Sequence, residues 1–132
     1  MEWTPDLRVG VDMIDEQHKE LIARMNSFFD SMSQNDKQQK VLEVLTFLED
    51  YVVKHFSEEE KLQLSSGYPL YREHKKMHTG FIDDIKKIRS DIETIGFTVA
   101  TAAVVGSTLV SWLTLHIKKV DKVLGAHIMS KQ

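Results

Sequence analysis

The chain has 132 residues, enough for one domain and too few for two ordinary ones. Lys plus Arg number 17 against 20 Asp plus Glu, a net charge of −3, which argues against the basic stripe that nucleic-acid binding needs. There is no cysteine, so disulfides, thiolate zinc sites, iron–sulfur clusters and cysteine nucleophiles are excluded together; a reducing, cytoplasmic setting is expected.

Two prolines and six glycines are too few for a loop-rich β domain and point to long helices. The N-terminus reads Met-Glu-Trp-Thr-Pro-Asp, without the basic start and apolar run of a secretory signal. It is read as an arm over about 1–12, with Trp3 packing over a bundle end.

The first amphipathic stripe is Ile14, His18, Leu21, Met25, Phe28 and Met32. Steps of four and three keep these residues on one helix face. Asp12 is expected to cap this helix, with Asp15 completing a weak capping box. The cluster Ser33-Gln34-Asn35-Asp36 ends it and starts the next.

The second stripe is Val41, Leu45, Leu48, Val52, His55, Glu59 and Leu62, broken by Ser65-Ser66-Gly67-Tyr68-Pro69. The third is Tyr71, His74, His78, Phe81, Ile85, Ile88 and Ile92, with Gly96 as its C-terminal cap. The fourth is Ala102, Gly106, Leu109, Leu113, His116 and Val120, ended by Gly125 and followed by a tail over about 123–132. Four helices of roughly 20 residues with short connections predict an all-α, up-down-up-down antiparallel four-helix bundle forming one domain over 1–132.

From Thr94 to Ile117 there is no Asp, Glu, Lys or Arg, a length able to span a bilayer. Ser107, Ser111 and Thr114 lead to Lys118 at helical spacing and make one face polar, so a bundle helix is expected and no membrane span. Val104 and Leu115 on the outer face leave room for weak self-association of an otherwise monomeric protein.

On every stripe, positions that should be apolar carry His or Glu: His18, His55, Glu59, His74, His78 and His116. An unpaired imidazole or carboxylate in a core costs several kcal/mol. In an up-down-up-down bundle, the starts of helices one and three lie beside the ends of two and four. His18, His74 and His78 are early on their helices; His55, Glu59 and His116 are late. All six therefore fall at one end of the bundle, and the HxxxE and HxxxH spacings put each pair on one face.

Asp121 follows His116 by five residues, a rotation of about 140° on a regular helix. It joins the cluster only if the helix widens near Lys118–Val120; otherwise it is a solvated acid among Lys118, Lys119 and Lys122. Five imidazoles and one or two carboxylates exceed the four ligands of a tetrahedral zinc and suit two ions bridged by carboxylates. Nitrogen and oxygen donors fit iron, manganese, copper or zinc, not calcium or magnesium. The Glu-x-x-His pairs of oxidising di-iron bundles are absent, so reversible binding is favoured over oxidation.

These residues resemble the bacterial hemerythrin family. The resemblance rests on Val-Gly-Val-Asp-Met-Ile-Asp-Glu-Gln-His at 9–18, His-Phe-Ser-Glu-Glu-Glu at 55–60, Tyr-Pro-Leu-Tyr-Arg-Glu-His-Lys-Lys-Met-His at 68–78 and Trp-Leu-Thr-Leu-His-Ile-Lys-Lys-Val-Asp-Lys at 112–122. It implies two iron ions with an oxo or hydroxo bridge and reversible binding of dioxygen. By that analogy His74, His78 and His116 hold one iron, His18 and His55 hold the other with a position left open, and Glu59 and Asp121 bridge them.

Phe29, Phe56, Trp112, Leu113 and Ile117 are expected to wall the open iron. His127 is read as a surface histidine of the tail and Glu58 as an outer-layer group. The protein is read as an oxygen carrier, storage or delivery protein and not an enzyme. The rival readings are an oxygen- or redox-sensing module acting on an unknown protein partner, and a di-iron redox enzyme.

Overall fold

A computed structural model describes residues 1–33 and 38–131, without the side chains of residues 31–33, 38–40, 99 and 102. The expected breaker at Gln34-Asn35-Asp36 and the stripe positions Met32 and Ala102 lie outside the described residues. The elements are α1 (Asp12–Ser33), α2 (Gln38–Ser65), α3 (Tyr71–Ile95), α4 (Val99–Leu115), a π-helical segment (His116–Asp121) and α5 (Lys122–Ser130). Sequential helices pack as neighbours, α1 on α2, α2 on α3 and α3 on α4, giving the expected all-α, antiparallel four-helix bundle.

The described stripes face inward almost as spaced. Ile14, Leu21, Met25 and Phe28 are buried, as are Val41, Leu45, Leu48 and Val52, and Phe81, Ile85, Ile88 and Ile92. The α2–α3 corner closes as a Schellman motif: Gly67 takes φ 66°, the Tyr68 amide donates to Gln63 O at 2.9 Å and the Gly67 amide to Leu64 O at 3.3 Å. Gly96 caps α3 at φ 98°, its N–H donating to Ile92 O. Thr98 caps α4 by accepting from the Thr101 amide.

Three expectations are corrected. Asp12 is the exposed first residue of α1, not its cap. The buried Asp15 instead reaches back and accepts from the Val9 amide at 2.8 Å and the Gly10 amide at 3.2 Å.

Gly125 does not end the fourth helix, which stays helical through Ser130. The glycine is there because a Cβ at this point would overlap the Val9 carbonyl. There is thus no loose tail over 123–130: Leu124 and Ile128 belong to the core.

The N-terminal arm runs along the bundle instead of crossing its end. The Met1 amino group donates to Asn26 Oδ1, the Lys19 ammonium lies 4.6 Å over the Trp3 ring, and Lys118 pairs with Asp6 at 3.4 Å. Leu7 and Val9 of the arm are buried. Among the described residues no helix is long and apolar enough to cross a membrane, and Val104 and Leu115 face outward, 66% and 59% exposed.

Candidate metal centre

His18 on α1, His55 and Glu59 on α2, His74 and His78 on α3, and His116 and Asp121 on the π-helical segment meet at one end of the core. None is more than 4% exposed. The HxxxH pair and the HxxxE pair each fall on one face because four residues make about one turn.

The fourth helix needs a device, since five residues overshoot a turn. That device is the π segment: the Lys122 amide donates to Ile117 O, five residues back, so His116 and Asp121 stack on the same side. Val120, the expected stripe position, is only half-buried while Asp121 is fully buried. Asp121 is therefore a core group and not a solvated acid among lysines.

The two carboxylates divide their oxygens between two groups of imidazoles. Asp121 Oδ2 lies 2.9 Å from His18 Nε2, and Oδ1 lies 3.0 Å from His74 Nε2 and 3.2 Å from His116 Nε2. Glu59 Oε2 lies 3.4 Å from His55 Nε2, and Oε1 lies 2.9 Å from His74 Nε2 and 3.3 Å from His78 Nε2. Two overlapping sets result: His74, His78 and His116 with both carboxylates, and His18 and His55 with the same two. In each set one ligand atom per residue falls within 4.8 Å of every other.

These donors do not satisfy one another. His18 Nε2 and both oxygens of Glu59 and of Asp121 are buried without a hydrogen bond of acceptable geometry. His116 Nε2 stands 3.1 Å from His74 Nε2 and 3.2 Å from His78 Nε2. Two nitrogens at right angles on one ion, each about 2.1 Å from it, would be about 3 Å apart. The residues therefore fit a pair of first-row metal ions: lone pairs converge on common points and not on each other's protons.

Charge follows the same pattern. Burial lowers the His55 pKa to about 4, over the opposing pull of Glu59. Burial also pushes His74 down, but the Asp121 and Glu59 carboxylates beside its ring outweigh it and raise its pKa to about 9. Asp121 is held well below the usual carboxylate range: His116, His18 and His74 outweigh its burial.

Outer groups orient some of the rings. His78 Nδ1 donates to Glu60 Oε2 at 2.8 Å. His55 Nδ1 donates to Gln17 Oε1 at 2.7 Å, and the Gln17 amide donates to Glu58, the outer-layer role expected of that acid. Phe56 stacks on His78 with ring centres 3.8 Å apart, and Trp112 stacks on His116 at 4.3 Å.

Trp112 thus lies against the three-histidine set and not beside His18 and His55. Phe29 sits beside Gly106, roughly 16 Å along α1 from His18 at 1.5 Å per residue, so it is no part of the wall. Leu113, three residues before His116, and Ile117, the residue after it, are both buried.

His127 belongs to α5. It is half-buried, its Nε2 donates to Ser66 O at 2.9 Å and its ring lies 5.1 Å from Tyr68; it locks the corner and is neither a surface group nor close to the carboxylates. Gln63 is a further polar group of this end of the core. It is fully buried one turn beyond Glu59, where the stripe had placed Leu62. Its signal was the HxxxExxxQ continuation.

A helical bundle with a buried histidine–carboxylate cluster for two ions defines a non-heme metal protein. The family model described as "Hemerythrin HHE cation binding domain" matches residues 9–128. The chain is 34% identical over 119 residues to a bacteriohemerythrin of Pseudomonas aeruginosa, covering 90% of this chain and 75% of that one. It is 29% identical to a myohemerythrin of Sipunculus nudus, covering 90% and 86%. A crystal structure of wild-type hemerythrin superposes with a TM-score of 0.84 at 27% identity, covering 97% of each chain. The chain belongs to the hemerythrin family. Its cofactor is accordingly a di-iron centre, and it is an oxygen-binding protein and not an enzyme.

Proposed function

We propose that this protein carries or stores dioxygen, binding it reversibly, as a single-domain, monomeric, cytoplasmic protein. In this reading His74, His78 and His116 would hold one iron and His18 and His55 the second, with Glu59 and Asp121 as carboxylate ligands available to both. The observation that carries the assignment is the splitting of both carboxylates, each with one oxygen against two imidazoles of the three-histidine set and the other against one imidazole of the His18 and His55 pair. Unequal numbers of protein donors leave one ion short of a ligand, and that is where an exogenous molecule has room.

A di-iron pair held by these residues would supply the electrons that reversible binding of dioxygen requires. The chain does the rest. Carboxylates and imidazoles on four packed helices keep the spacing of the two sets fixed. Phe56, Leu113 and Ile117, all buried, pack the interior around the site and keep water from it, which suppresses loss of reduced oxygen. The polarity of the set, five neutral donors to two anionic ones, gives less support to high-valent iron than a carboxylate-rich site, and so favours release over oxidation.

Repeated oxygenation and deoxygenation of the reduced protein tests this. A visible band that appears with oxygen and vanishes on its removal, over many cycles, is expected of a carrier. Steady consumption of oxygen with an oxidisable substrate would contradict reversible binding. Capture of one protein partner only in the oxygenated form would make it a sensor.

A further inference from the structure

We propose that the cavity at the α2–α3 corner is the port through which aquated ferrous ion enters and leaves the core, and that Gln63 is the residue that receives it. The proposal rests on the reading that the core holds iron. A site whose donors are all buried needs an entry path.

Three cavities border this end of the bundle. One of 180 Å³ is lined by Leu70, Glu73, His74, Met77, Lys119 and Val123 among others. Another of 200 Å³ is lined by Trp112, Leu115, His116 and the same Met77 and Lys119. Both touch the imidazoles, yet both have mostly apolar walls and carry the Lys119 ammonium, which in the first shares the lining with Glu73. Neither cavity offers a neutral buried amide oxygen to replace the water that a hydrated dication would shed there.

The corner cavity is different. It measures 280 Å³ and includes Gln63, Tyr68, Tyr71, Arg72 and Glu73 in its lining. At about 30 Å³ per water it has room for an ion with roughly six waters. Gln63 is fully exposed to neither solvent nor partner: it is buried, and both its amide oxygen and its amide nitrogen lack a hydrogen bond.

A buried amide left so costs about 1–3 kcal/mol per group, a cost that packing alone does not explain at a wall where an apolar side chain would fit. Its oxygen is the hard, neutral donor that replaces a water on a divalent ion without trapping it. Glu59 lies one helical turn further in, on the same face of α2. Glu73 at the rim draws cations in and Arg72 opposes it, so the two charges set the rate with opposite signs. Each step exchanges one oxygen ligand for another, and no electron moves.

The test follows iron release from the holoprotein to a ferrous chelator, and reloading with ferrous sulfate under anaerobic conditions. Gln63→Leu is expected to slow release and reloading alike by about tenfold, the scale on which outer partners of a metal site act, with two irons per chain at the end as in the wild type. Glu73→Gln should slow reloading and Arg72→Ala should speed it; both residues are exposed, so folding is not at stake. Leu115→Ala, in the apolar groove, should leave both rates unchanged.

Wild-type rates in Gln63→Leu and Glu73→Gln with full iron content would overturn the port while leaving the metal reading intact. A wild-type chain that takes up no iron would overturn both. If Gln63→Leu fails to fold, the opposite-signed changes in Glu73→Gln and Arg72→Ala decide, and their absence rejects the proposal.

Discussion

The carbonyl of Val9 occupies the space that a side chain on Gly125 would need. The arm is pinned there from two sides, by α5 below and by the Asp15 carboxylate, which holds the Val9 and Gly10 amides. Asp15 is three residues before His18, so the contact ties the arm to the start of the histidine-bearing turn.

Gly125→Ala should therefore push the arm off α5. The expected loss is about 2 kcal/mol, or on the order of 5–10 °C in Tm, measured by thermal unfolding. A Tm equal to wild type would mean the arm moves freely and does not brace α1.

Glu60 accepts from His78 Nδ1 at 2.8 Å, only partly exposed. Replacing it by Gln keeps the shape and removes the charge that makes the ring a stronger donor. Iron affinity should drop by roughly 10–100-fold, measured by competition with a chelator. Gln17→Ala, which removes a neutral partner from His55, should cost less.

Leu113 is buried one turn before His116. Leu113→Ala should cost about 2–5 kcal/mol in stability and admit water to the site, so autoxidation of the oxygenated protein should quicken. An unchanged autoxidation rate would remove Leu113 from the wall.

Protonation gives the metal-free protein a defined pH dependence. The His74 pKa rises from its ordinary 6.5 to about 9 on folding, so its contribution is present below 6.5 and lost as pH climbs through 9. The His55 pKa falls to about 4, so its contribution is present above 6.5 and lost as pH falls toward 4. Denaturant unfolding of the metal-free chain should show greatest stability near neutral pH, falling by a few kcal/mol on either side. Iron must displace the His74 proton, so iron affinity should increase with pH up to about 9.

Most of the site was legible because a buried imidazole or carboxylate at helical spacing is costly without a partner. His18, His55, Glu59, His74, His78 and His116 stood out on that ground. Asp121 did not, since spacing on a regular helix turns it away; only the widened turn from His116 brings it in, and a π segment leaves little trace in composition.

Gly125 misled because a glycine late in a helix has two uses, termination and close approach, and only the packed arm tells them apart. Gln63 was hidden by the same economy: glutamine is ordinary on a solvated face, and its burial depends on the corner closing over it. Trp112 was placed on the wrong side because residue type identifies a wall without saying which ion it faces.

The most direct measurement is the iron content per chain together with the visible spectrum, taken aerobically and after reduction. Two irons per chain and an oxygen-dependent band that reduction abolishes are predicted. Fewer than two irons in protein produced with iron available, or a spectrum indifferent to oxygen, would contradict a pair of cations held between the split carboxylates.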